Sequence, residues 1–263
     1  MKLGLSTATF FGKILTEDSF ETMRQMGAEV CEVFLTTFFE YREDFAKLLA
    51  QKSKDIEIHS VHSLNNQFEP ELYNIAERTR TDAEKIFRDV CLCGKNLNAK
   101  FYTFHGPARL KKKEYIFDYE YLGKRTEEIC NISKDYNLTL CYENVHWTFF
   151  SEPGYYKNLK KYSQSLRACL DIKQAIQNKI DYKLFIEEMG DDLETVHLCD
   201  YDNFGNTRIP GKGIFDFEEL FRMLKYNGYK GPLIVELYSG DYNSFEELNS
   251  SFNYLKEILK KIN

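Results

Sequence analysis

The chain has 263 residues, of which 43% are hydrophobic and 15% aromatic, enough for a sizeable core and too apolar for a disordered chain. Its formal net charge of −6 opposes polyphosphate binding, because nucleic-acid affinity comes mostly from Lys and Arg neutralising phosphates, so no nucleic-acid partner is expected. No apolar stretch approaches the ~20 residues of a membrane span, and seven cysteines without zinc-type spacing or a preceding signal peptide point to a reducing cytoplasm.

Short runs suited to buried strands alternate with helix-period segments throughout, the pattern of a parallel sheet built from βα units. Eight strands are predicted: Lys2–Ser6, Val30–Leu35, Ile56–Val61, Lys100–Phe104, Leu138–Tyr142, Leu166–Leu170, Thr195–Leu198 and Leu233–Leu237. Helices are expected near Thr16–Met26, Arg42–Gln51, Glu71–Lys95, Tyr115–Tyr136, Ile172–Ile176, Tyr182–Met189, Phe217–Tyr226 and Phe245–Lys260. Thr16-Glu17-Asp18 and Ser244-Phe245-Glu246-Glu247 look like helix starts, and Asn227-Gly228 like a helix exit. Eight such units need roughly 250 residues, and no Pro/Ser-rich linker interrupts them, so residues 1–263 read as a single α/β domain, a (β/α)8 TIM barrel.

Alternate strand residues point into the barrel or out to the helices. In the fifth strand Leu138, Leu140 and Tyr142 form the apolar row, leaving Thr139, Cys141 and Glu143 inward. The same reading turns Asp171, His197 and Glu236 inward after the sixth, seventh and eighth strands. Any one of these alone is a common loop residue, and Asp171 could simply cap the helix after it. Four of them on consecutive strands, at the barrel end where active sites form, are costly to bury unless they share a cation. Mixed oxygen and imidazole donors suit one divalent metal ion, Mn, Zn, Co or Mg, with the carboxylates favouring the harder ions.

Tyr142-Glu143-Asn144, Leu170-Asp171-Ile172-Lys173-Gln174-Ala175, Val196-His197-Leu198-Cys199-Asp200, Arg208-Ile209-Pro210-Gly211-Lys212-Gly213 and Val235-Glu236-Leu237-Tyr238 carry a family resemblance. With them the chain resembles the xylose isomerase-like TIM barrel superfamily, and within it the sugar phosphate isomerase/epimerase group. The resemblance covers the last five strands by motif and the first three units by layout. It implies that Glu143, Asp171, His197 and Glu236 are metal ligands, and that Glu143 and Glu236 are also catalytic, acting as acid and base on opposite faces of a substrate carbon. A small-molecule sugar or sugar phosphate is then the expected partner, isomerised or epimerised through an enediolate. Homo-oligomerisation is left open.

His62 and His105 end earlier strands with inward parity and are expected to bind substrate, with a second metal at His62/His105 as the alternative. His59 has the opposite parity and His146 lies in a loop, which puts both outside the metal sphere. Trp147 is assigned to the substrate pocket, with packing the competing role. Arg208 is assigned to binding a substrate carboxylate or phosphate, against a plain surface-loop role. Cys141, Cys169 and Cys199 read as barrel filling, and Lys111, Lys112 and Lys113 as a solvated corner.

Two other functions compete. An apurinic endonuclease-like phosphodiesterase of the same superfamily is disfavoured by Gln174 in place of an expected histidine, by the absence of an Asp-x-His pair between Asp200 and Gly213, and by the negative charge. A non-catalytic sugar-binding barrel is disfavoured because all four ligand positions are filled.

Overall fold

Parallel strands pair in chain order in the computed structural model, which describes residues 1–64, 66–109 and 114–262. The barrel strands are β1 (Leu3–Ser6), β2 (Val30–Leu35), β3 (Glu57–Ser63), β4 (Phe101–Phe104), β5 (Thr139–Glu143), β6 (Arg167–Asp171), β7 (Leu193–Leu198) and β8 (Leu233–Val235). Each neighbours the next, and β8 closes onto β1 with Leu233 opposite Leu3. The helices are α1 (Thr16–Gln25), α2 (Glu43–Ser53), α3 (Phe68–Glu71), α4 (Glu77–Asn96), α5 (Tyr119–Lys134), α6 (Tyr155–Lys160), α7 (Ile172–Gln177), α8 (Tyr182–Met189), α9 (Phe217–Tyr226) and α10 (Phe245–Ile262). The fold is a (β/α)8 barrel, as the alternation predicts, and no described helix is long and apolar enough to cross a membrane.

Outward strand residues build the layer between barrel and helices. Tyr142 meets Phe104 edge-on at 5.4 Å, and Phe87 of α4 meets Tyr102 at 5.2 Å, so large rings fill the gap that a twisted sheet leaves beneath straight helices. All seven cysteines are buried and free, in keeping with a filling role.

Several boundaries differ from those predicted, each for a local reason. The helix expected over Glu71–Lys95 begins only at Glu77, after the separate short α3, because the Asn74 side chain accepts from the Ala76 amide at 2.9 Å and turns the chain. The helix expected from Tyr115 begins only at Tyr119, where Asp118 caps the Tyr121 amide. Strand β3 runs on to Ser63 and so includes His62, whereas β8 stops at Val235 and leaves Glu236 just beyond it. A two-residue hairpin, Asp200–Tyr201 with Thr207–Arg208, was not foreseen. The Lys111–Lys113 run lies outside the described residues.

The parity assigned to His59 is corrected by a bulge. Ile58 pairs with Cys31 but Ser60 pairs with Glu32, so His59 is an extra residue on β3 and points across the barrel, its Nε2 3.0 Å from Thr195 Oγ1. It sits toward the end of the barrel away from the metal candidates. Burial pushes the His59 pKa from 6.5 down to about 4. The unfolded chain therefore binds the extra proton between those values, so the stability this neutral imidazole contributes is present above pH 6.5 and is lost as pH falls towards 4. The loss is roughly 3 kcal/mol at most. Urea unfolding at pH 7.5 and 5.0 should therefore show a smaller pH-dependent loss in His59→Gln than in the unmodified chain; equal losses would contradict this.

Candidate metal centre at the barrel mouth

Glu143, Asp171 and His197 are each 1% exposed, and Glu236 is 7% exposed. Glu143 ends β5 and Asp171 ends β6, while His197 lies next to the end of β7 and Glu236 follows β8. Their side chains converge on one nitrogen. His197 Nδ1 lies 3.2 Å from Glu143 Oε1, 3.7 Å from Glu236 Oε2 and 3.8 Å from Asp171 Oδ2. One donor atom from each residue lies within 4.8 Å of every other.

The fit to a cation is shown by what is left unpartnered. Asp171 Oδ2 and Glu236 Oε2 are buried and accept no hydrogen bond among the described residues, while Glu143 Oε2 faces the His105 imidazole at 2.8 Å. Two orphaned carboxylate oxygens in a dry site are costly, and a divalent ion would satisfy them together with Glu143 and an imidazole nitrogen. At ~2.0–2.2 Å per bond, donors on opposite sides of such an ion stand about 4.4 Å apart, close to the spread found here.

Neighbouring groups hold these ligands in place. The Asn144 amide brackets the Asp171 backbone, donating to its carbonyl at 3.0 Å and accepting from its N–H at 2.7 Å, which accounts for Asn after Glu143 in the motif. Asp171 both caps and faces the cluster: Oδ1 accepts from the Gln174 amide at 3.0 Å, leaving Oδ2 free to turn inward.

Three buried charges were missed by the sequence reading. Glu32 on β2 accepts from Ser60 at 2.7 Å and Thr103 at 2.6 Å, while its Oε1 stands 3.4 Å from His62 Nδ1 and 3.3 Å from His197 Nε2. Its inward parity beside Cys31 was the available signal. Glu69 in α3 accepts from the His105 and Gly106 amides at 2.8 and 3.1 Å, fixing the end of β4. Gly106 is required there: its φ is +71°, and a Cβ would stand 1.9 Å from the Tyr142 hydroxyl. Lys173, 4% exposed, places Nζ 3.4 Å from Glu236 Oε1 and 3.7 Å from Asp171 Oδ2.

His62 and His105 do reach this mouth. Their Nε2 atoms are 2.9 Å apart, and His105 Nε2 lies 2.8 Å from Glu143 Oε2, giving a second donor set of His62, His105 and Glu143. Trp147 packs edge-on to His105 at 5.4 Å and is half-exposed, a wall beside the histidine pair. Arg208 is placed elsewhere. It is exposed on the hairpin, where its guanidinium donates to Asp202 at 2.7 Å and to the Thr207 carbonyl at 2.8 Å. The glycines that follow serve the loop, since buried Asp200 accepts from the Gly211 and Gly213 amides, both at 2.9 Å. His146 bonds Gln174 at 2.6 Å and, like His59, contributes to none of the donor sets.

Burial alone would raise the Glu143 carboxyl, but the imidazoles of His105 and His197 hold it well below the usual range. His197 and His62 do the same for Glu32. His62 shows the reverse balance: burial lowers it, and contact with Glu32 raises it further, to about 9. Protons held on His62 and His197 by these carboxylates act as counter-charges, and binding of a divalent ion would release them. A cavity of about 1300 Å³ at the opposite end of the barrel, lined by Lys2, Glu57 and Lys100 among others, contains none of the four ligands; there Glu57 pairs with both lysines.

Together these features define a (β/α)8 barrel whose C-terminal mouth carries a buried carboxylate–histidine cluster suited to a divalent cation. The sequence model of the xylose isomerase-like TIM barrel family matches residues 20–258, and the chain belongs to that family. Among solved structures it is similar to a D-tagatose 3-epimerase-like protein, with TM-score 0.82 and 22% identity over 100% of this chain and 98% of that one. It is similar to the IOLI protein solved with a binding zinc atom, with TM-score 0.82 and 17% identity over 100% and 99% of the two chains. A D-psicose 3-epimerase with D-tagatose from Clostridium cellulolyticum H10 superposes with TM-score 0.76 and 14% identity over 100% and 99%. At these identities the likeness shows a shared fold. No curated protein matches the chain.

Proposed function

We propose that the protein is a divalent-metal-dependent isomerase or epimerase acting on a small, uncharged sugar. The observation that carries this reading is the convergence of three buried carboxylates on His197 Nδ1 at the barrel mouth, two of them through oxygens with no hydrogen bond among the described residues. Glu143, Asp171, His197 and Glu236 would hold the ion, which when bound supplies Lewis-acid polarisation of neighbouring sugar oxygens. The epimerase and zinc-bound structures of the same fold lend support.

The chain's own residues then carry the proton. Glu143 and Glu236 are two carboxylates beside one another in a dry site, and either can remove the proton next to a sugar carbonyl. Return of a proton by the other, from the opposite face, inverts that carbon; return to the adjacent carbon exchanges aldose for ketose. His62 and His105 offer donors and acceptors to substrate hydroxyls, and Trp147 beside them excludes water.

Charge favours a free sugar over a phosphorylated one. Glu32, Glu143, Asp171 and Glu236 outnumber the single Lys173, so one divalent ion leaves little positive charge for a phosphate. Arg208, the residue suited to phosphate, is engaged with Asp202 on the hairpin. A second reading, a two-ion centre with a hydrolytic role, is favoured only by the His62, His105 and Glu143 donor set. Incubating the metal-loaded protein with free and phosphorylated ketoses in deuterated water discriminates between them. Deuterium entering free ketoses beside the carbonyl is the expected result; no exchange with any sugar, alongside phosphodiester cleavage, would overturn the proposal.

A further inference from the structure

Lys173 is the second residue of α7 and is buried against the candidate ligands. Its ammonium carries three donors but among the described residues makes one long hydrogen bond, to Glu236 Oε1 at 3.4 Å; Asp171 Oδ2 lies at 3.7 Å and the Tyr238 ring centroid at 4.6 Å. Both carboxylates belong to the four-residue set, and Asp171 Oδ2 is one of the oxygens with no hydrogen bond. A fixed positive charge therefore shares two carboxylates that a divalent ion would need, and at Asp171 the same oxygen, in a site where water screens little.

We infer that Lys173 is a built-in competitor of the metal: it holds Asp171 and Glu236 together when the ion is absent and weakens the ion's binding when it is present. The inference rests on the metal-centre reading above. Two roles of a buried lysine make opposite forecasts. A simple clamp that shapes the site would, on removal, loosen the ligands and weaken metal binding. A competing charge would, on removal, leave more negative potential for the ion and strengthen it.

The test is calorimetric titration of chelator-treated full-length protein with Mn²⁺, comparing the unmodified chain with Lys173→Met and Lys173→Arg. Loss of the charge should tighten binding by at least about tenfold, since repulsion between an ammonium and a divalent ion at this range is large even at an effective dielectric near 20. The arginine variant, which keeps the charge, should stay within a few-fold of the unmodified chain. Equal or weaker binding by folded Lys173→Met overturns the inference. If that variant does not fold, Lys173→Gln takes its place, and failure of both to fold would mark Lys173 as a structural clamp, which also overturns it. An unmodified chain that takes up no ion would instead refute the metal centre itself.

Discussion

Glu236→Gln should reduce turnover by about 10²–10⁴-fold while the barrel remains folded. The substitution keeps the size of a side chain that is 7% exposed and sits just past β8, so packing changes little. What it removes is the charge of one of two carboxylates proposed to carry the proton. It also leaves Glu236 Oε2, now 3.7 Å from His197 Nδ1, without the basicity that acid–base work needs. Deuterium exchange measured beside a thermal melt separates the two effects. Undiminished exchange in a folded variant would contradict the assigned role, and a lower melting temperature with proportionate loss would assign Glu236 to stability instead.

Removing the divalent ion should lower the melting temperature by roughly 10 °C. An ion held at about a thousand times its dissociation constant stabilises the native state by ~4 kcal/mol, and a chain of this length shifts by about 2–4 °C per kcal/mol. The chain should show this sensitivity because Asp171, Glu143 and Glu236 are crowded in a buried site with unpartnered oxygens. Asp171→Asn should largely abolish the difference between loaded and chelated protein, because Oδ2 is lost as an anionic donor while the Oδ1 cap on Gln174 is retained. Scanning calorimetry with and without saturating Mn²⁺ checks both; identical melting of the loaded and stripped protein would contradict the expectation.

The barrel and its four convergent residues were legible because both depend on strand periodicity. An inward residue at the end of one strand meets the inward residues of its neighbours whatever the helices outside do, so Glu143, Asp171, His197 and Glu236 could be brought together from parity alone. Residues that act through tertiary contacts were not legible. Glu69 is in a four-residue helix whose sequence says nothing of the His105 amide it anchors. Lys173 follows the expected helix start, where a lysine is ordinarily solvated, and only the closed barrel places it against Glu236. His59 was misassigned because a bulge adds one residue to β3 without a glycine to announce it. Arg208 was assigned to binding because a guanidinium suits a bidentate anion, against a surface-loop role; here it faces Asp202, and the glycines that follow build the loop around Asp200.

The most direct test counts metal. Elemental analysis of protein purified without chelator, then stripped and reloaded, should find one divalent ion per chain that returns on reloading and is not recovered when His197 is replaced by Ala. A chain that retains no ion and accepts none, or one that binds equally well without His197, would contradict the centre from which the proposed chemistry is drawn.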